Sequence, residues 1–274
     1  MIPLAAAAFA YTPAPLQASM QSASVENGVR RTLVTFASGD RRLTAEIVAP
    51  AHATAHGPGV LFVHWLGDDA TTNHKEFEPD ARALAAKGAT CVLLDAMWST
   101  VVNGRRDWFS AVRSPDTDYK HSIDQVVDLR RSLDLLLAQP GVDPGRIAYV
   151  AHDFGAMYGA VLAGVDSRPR YYVLMAGTTS FADWYLLGKK PADVDAYRAQ
   201  MAPLDPLAYL MRSTAHGFLF QFASHDQYVS AEHATGFFSA APPPRAMYVY
   251  EAHHDLNVPL ARHDRLDWLQ ARLF

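Results

Sequence analysis

From about residue 30 onward, short apolar runs alternate with longer amphipathic stretches, and few folds accept that order. The runs at 60–64, 89–95, 146–151, 171–176, 217–223 and 246–251 have the length and composition of strands buried on both faces. Between and after them, 75–87, 121–139, 156–165, 231–240 and 260–273 carry apolar residues at helical spacing. In the longest, Ile123, Val126, Val127, Leu133, Leu136 and Leu137 share one face, and Pro140 stops it. An antiparallel pair over 31–38 and 43–49, turned at Ser38-Gly39-Asp40, opens the pattern. The expectation is an α/β chain: one domain over 1–274, with a mostly parallel central sheet of about eight strands and helices on both faces.

Two connections are too long for simple turns. The segment 97–119 is rich in Trp and Arg, and 181–212 carries Trp184, Tyr185, Tyr197 and Tyr209 among prolines. Such connections are usually functional covers, so a small lid is expected at 181–212, with core-covering helices as the alternative.

Composition removes several function classes. Lys and Arg total 24 against 28 Asp and Glu, a net charge of −4. A nucleic-acid partner would call for a basic excess. No apolar run reaches the roughly 18 residues of a membrane span. A single cysteine, Cys91, allows no internal disulfide and lies in an apolar run, as an inert core thiol would. The first ten residues are apolar but lack a basic start, so they read as an N-terminal arm rather than a signal peptide. A small-molecule substrate and a cytoplasmic protein are expected, with a homodimer open. There are 12 histidines, of which His225, His233, His253, His254 and His263 fall in the last 50 residues. Their spacing fits no metal motif, so neither a metal nor a cofactor is expected.

The chemistry concentrates where the strand ending at Val150 runs through Ala151-His152-Asp153-Phe154-Gly155 into a helix. Strand, tight turn and helix, with small residues flanking the central one, is the layout of a nucleophile elbow. Its nucleophile position holds Asp153. Asp226 then follows the strand at 217–223, and His254 follows the last strand. Nucleophile, acid and histidine thus fall in order at carboxyl ends of strands, the edge where open α/β sheets place ligands. His253 competes with His254 for the base; His152 and His64 read as structural supports.

From about Tyr11 to the C-terminus the chain resembles the α/β-hydrolase superfamily, in its dienelactone-hydrolase-like and acetyl-xylan-esterase-like branch. The resemblance rests on Val63-His64-Trp65-Leu66-Gly67, Ala151-His152-Asp153-Phe154-Gly155, Ser224-His225-Asp226 and Ala252-His253-His254-Asp255-Leu256. That branch holds Ser or Cys at the elbow; Asp there resembles haloalkane dehalogenases and epoxide hydrolases. The resemblance implies an Asp153–His254–Asp226 triad, with backbone N–H groups of Trp65 and Phe154 as the oxyanion donors. Phe154 stands where haloalkane dehalogenases have a halide-holding Trp, and Trp65 is offered as a replacement donor. Epoxide hydrolases use cap tyrosines, for which Tyr185, Tyr197 and Tyr209 are the candidates. His64, Trp98, Trp108, Trp184 and Tyr185 are the candidate pocket residues, and Arg105, Arg106 or Arg113 is a candidate for holding a substrate carboxylate.

An Asp nucleophile suits an sp³ carbon bearing a leaving group: attack gives an alkyl ester, which water activated by His254 hydrolyses. Against an acyl ester the same Asp would form an anhydride or act as a base. The expected function is therefore a hydrolase with a covalent Asp153 intermediate. An esterase or lactonase of the dienelactone type, or an inactive ligand-binding relative, are the alternatives.

Overall fold

The computed structural model describes residues 6–52, 56–99 and 113–274. Among them one nine-stranded sheet runs through the molecule. Its strands are β1 (Ser19–Glu26), β2 (Val29–Ser38), β3 (Arg41–Pro50), β4 (Gly57–Val63), β5 (Thr90–Leu94), β6 (Val142–His152), β7 (Tyr171–Met175), β8 (Gly217–Ala223) and β9 (Arg245–Tyr250). Their spatial order is β1-β2-β3-β5-β4-β6-β7-β8-β9. The β1–β2, β2–β3 and β3–β5 pairings are antiparallel, and the rest are parallel. The strand beyond the expected eight is β1. All eight of its residues are exposed, so no alternation of hydrophobicity marks it; backbone pairing to β2 alone defines it.

Successive residues of the central strands point to opposite faces. Leu61, Val63, Tyr149, Ala151, Tyr172 and Leu174 face the layer built by α2 (Pro115–Leu137) and α3 (Phe154–Val165). Val60, Phe62, Ala148, Val150, Val173 and Met175 face α1 (Glu78–Ala85) and α8 (Pro259–Leu273). This two-sided cover is why those strands read as unbroken apolar runs. Cys91 belongs to the second layer, and burial pushes its thiol far above the usual range. Helix α2 begins six residues before the expected start at residue 121, with Pro115 in its first turn, where a missing N–H costs nothing.

The segment 181–212 folds as α4 (Phe181–Tyr185), α5 (Val194–Met201) and α6 (Pro206–Leu210). Trp184, Tyr185, Tyr197 and Tyr209 are all buried. Helix α6 meets α3 at Gly164, where a Cβ would lie 2.4 Å from the Tyr209 carbonyl oxygen. The helix α7 (Ala231–Ala240) precedes β9. No described helix is long and apolar enough to cross a membrane. Trp108, Arg105 and Arg106 lie outside the described residues.

Candidate active site

Strand β6 passes into α3 through Asp153, whose φ of 55° and ψ of −120° form the sharp turn of an elbow. A non-glycine residue holds such dihedrals only where its surroundings enforce them. Here the Asp153 N–H donates to Met175 O at 2.9 Å and its carbonyl accepts from Met157 N–H at 3.1 Å. Gly155 lets the turn approach β4; a Cβ there would stand 2.6 Å from Val63 O.

The two oxygens of Asp153 meet different surroundings. Oδ2 accepts the Leu66 N–H at 2.9 Å. Oδ1 is buried with no hydrogen-bond partner among the described residues and lies 3.9 Å from His254 Nε2. The carboxyl is 2% exposed, and burial outweighs the pull of His254 and Leu66, raising its pKa to about 7.

On the other side of the imidazole, His254 Nδ1 lies 2.8 Å from Asp226 Oδ2. Asp226 Oδ1 accepts the N–H groups of Tyr228 and Val229 at 2.8 and 3.0 Å. Burial pushes the Asp226 carboxyl up, yet His254 and these N–H groups together hold it below the usual range. A carboxylate fixed in this way directs the Nδ1–H of His254 toward itself and leaves Nε2 to face Asp153. The neighbouring His253 is exposed, and its Nδ1 reaches only His225 O, at 3.3 Å.

Several sequence-based assignments need correction. The Trp65 N–H does not face Asp153; it donates to Glu76 Oε2 at 2.7 Å, and Leu66, one residue on, supplies the donor. The Trp65 indole N–H is likewise engaged, with Thr71 Oγ1. His64 is a brace rather than a pocket wall. Its Nε2 accepts the Ala96 N–H at 3.0 Å, so Nδ1 carries the proton and donates to Trp65 O at 2.7 Å. Burial lowers its pKa, in keeping with a neutral ring. Trp98 is fully buried behind the same loop and donates to Trp65 O at 3.1 Å. The hydroxyls of Tyr185, Tyr158 and Ser122 bond to one another. Tyr197 donates to Asp118 and Tyr209 to Pro203 O. None of the three candidate proton donors is therefore directed at Asp153. Arg113 is 10% exposed, 3.6 Å from the Asp118 carboxylate, which already balances its charge.

Trp184 does lie at the site, with its ring centroid 5.3 Å from that of His254 and 5.9 Å from that of Phe154. Its Nε1–H is buried without a partner among the described residues. Tyr228, half exposed, stands edge-on to His254 at 5.0 Å. Tyr228, Leu66 and Glu76 escaped the sequence reading: Tyr228 had the signal of lying two residues after Asp226, while Glu76 had none. Among the described residues no three His, Cys, Asp or Glu side chains are grouped to hold a metal ion.

No protein-family model matches the chain, and no curated protein sequence matches it. Solved structures do. An acetyl xylan esterase from Paenibacillus sp. R4 superposes with a TM-score of 0.77 at 16% identity, over 95% of this chain and 90% of that one. An S-formylglutathione hydrolase from Agrobacterium tumefaciens gives 0.69 at 16% identity, over 93% and 100%. A chain from Klebsiella pneumoniae subsp. pneumoniae MGH 78578 assigned as a dienelactone hydrolase gives 0.66 at 16% identity, over 90% and 99%. Likeness at this identity and coverage establishes the architecture: the chain has the α/β-hydrolase fold.

Proposed function

We propose that this protein is a hydrolase that forms a covalent ester on Asp153, with a small organic substrate whose sp³ carbon bears a leaving group. The observation that carries this reading is the division of labour between the Asp153 oxygens: Oδ2 on the Leu66 N–H, Oδ1 facing His254 and unpartnered among the described residues.

Oδ1 attacks the carbon in line, and the leaving group departs with the bonding electron pair. Oδ2 becomes the ester carbonyl oxygen and stays on Leu66 N–H. His254 Nε2 then takes a proton from water as the water oxygen attacks Asp153 Cγ. The resulting oxyanion, on Oδ2, is held by Leu66 N–H, with Phe154 N–H at the start of α3 as the second donor. The Cγ–Oδ1 bond breaks, and the alcohol leaves with the proton returned by His254. Asp226 keeps the imidazole oriented and stabilises its charged form. Trp184, whose ring lies 5.3 Å from that of His254, carries a buried Nε1–H without a partner among the described residues. It suits a leaving group that departs as an anion, such as a halide. The loss of the three tyrosines as donors weakens the epoxide case.

A direct attack on an acyl ester suits the site less, because the Asp153 carboxylate already occupies the Leu66 donor that a substrate oxyanion would need. The esterases among the fold relatives keep a second reading in play: an esterase or lactonase in which Asp153 acts as a base. A single turnover in ¹⁸O-water, across haloalkanes, epoxides, short acyl esters and lactones, separates the two. Covalent catalysis puts the heavy oxygen into Asp153. Label confined to product, with robust turnover of the acyl esters or lactones, would establish the second reading instead.

A further inference from the structure

Glu76 and His152 make contacts that the proposed reaction does not use. Glu76 lies between β4 and α1, and its two oxygens join separate parts of the site. Oε2 accepts the Trp65 N–H, and Oε1 lies 2.7 Å from His152 Nδ1. His152 is fully buried, and its Nε2 lies 2.9 Å from the carbonyl oxygen of His254. A carbonyl only accepts, so Nε2 is a donor; the other proton lies on the line between Nδ1 and Glu76. The Trp65 indole stacks on the His152 ring at 5.2 Å and 4°. One carboxylate–imidazole pair thus connects the backbone of the Trp65–Leu66 loop to the backbone of the His254 loop, through the residue preceding Asp153.

We propose that Glu76 and His152 are positioning residues, which hold Leu66 N–H and His254 Nε2 in register on the two oxygens of Asp153. The proposal rests on the reading of Asp153 as the nucleophile. The physical ground is the steepness of catalysis with distance: a displacement of about 1 Å in a reacting group costs roughly 100-fold in rate. Leu66 N–H and His254 reach Asp153 from separate loops. The Glu76–His152 pair is a side-chain link that joins those two loops directly.

The test compares Glu76→Ala with Glu76→Gln in the full chain. A Gln amide can accept from Trp65 N–H and donate to His152 Nδ1, leaving Nε2–H on His254 O. Folding is checked by denaturant unfolding, so that rates refer to folded protein. For Glu76→Ala, kcat is expected to fall about 100-fold with KM within about twofold, and for Glu76→Gln to recover to within about fivefold. The ring N–H resonance of His254 is expected to move in the Ala variant and to stay near its wild-type position in the Gln variant. If Glu76→Ala does not fold, His152→Asn replaces it. It keeps a donor toward Glu76, severs the contact with His254 O, and should displace the same resonance and lower kcat at least tenfold. An unmoved His254 resonance in the folded Ala or Asn variant overturns the proposal, as does a Gln variant as slow as the Ala one. If the wild-type protein turns over no substrate, the reading of Asp153 fails instead, and the resonance comparison still decides whether the pair positions His254.

Discussion

Two histidine–carboxylate pairs lie side by side under Trp65, with ring centroids 5.5 Å apart and nearly equal contacts: 2.8 Å for His254–Asp226 and 2.7 Å for His152–Glu76. What separates them is the second nitrogen of each ring. His152 Nε2 is bonded to a backbone carbonyl, so the ring has no site left to exchange a proton with a substrate or water. His254 Nε2 faces the unpartnered oxygen of Asp153 at 3.9 Å, a separation suited to an intervening reactant rather than a direct bond. The same residue types therefore leave a nitrogen facing Asp153, where the proposed base would need it, in one place, and bond both nitrogens of the ring in the other. A carboxylate beside an imidazole does not mark a catalytic histidine; the free nitrogen does.

The largest effect that would break this contrast is expected at His254. In His254→Gln, Oδ1 of Asp153 can still attack, but nothing activates water, so turnover should fall about 10³–10⁴-fold while the alkylated protein accumulates. Intact-mass spectrometry after mixing with substrate checks this. Continued turnover with no adduct would mean that the two histidines do not differ in the way their nitrogens suggest.

Asp153 gives the next largest effect, on stability as well as activity. Its pKa is 3.8 as a free carboxyl and about 7 when folded. Between these values the folded state binds more protons than the unfolded one, so stability falls as pH rises. The ionised carboxylate then costs on the order of 4 kcal/mol above pH 7. Asp153→Asn should abolish turnover yet raise stability by about 2–4 kcal/mol at pH 8, with the gain shrinking toward pH 4. Denaturant unfolding at both pH values checks it. In the proposed mechanism only the carboxylate attacks, so kcat/KM of the wild-type protein should rise with pH through about 7. A variant less stable than wild type at pH 8 would mean that the ionised group is better solvated than its burial implies.

What could be read from the chain follows from how local each signal is. Asp153 was legible because strand, turn and helix are contiguous at 147–156. Asp226 and His254 were legible because each follows an apolar strand of the parallel half. The donor was misread by one residue, since which N–H of Trp65 and Leu66 points inward depends on Glu76, eleven residues on, capturing the first. Arg113 and the three tyrosines looked available because their partners Asp118, Ser122, Tyr158 and Pro203 O meet them only in the folded chain. Strand β1 escaped because an edge strand exposed along its whole length carries no pattern of burial.

The smallest expected effect is at His253, and it tests the adjacent choice of base. His253 and His254 are consecutive, so sequence alone barely separates them. The loop that carries them is tied to the loop after β8 by backbone bonds: Ser224 N–H donates to Tyr250 O at 2.8 Å, and His225 N–H to Ala252 O at 3.0 Å. Ala252 and His254 are buried, while the His253 ring points outward beside the exposed His225. Removing the exposed imidazole leaves both backbone bonds and the His254–Asp226 contact in place. His253→Ala should therefore shift stability by no more than about 0.5 kcal/mol and leave kcat within about twofold. Paired measurement of unfolding and turnover is sufficient. A loss approaching that of His254→Gln would transfer the role of base to His253 and require the loop to rearrange before the reaction, since its ring has no route to Asp153 in the observed arrangement.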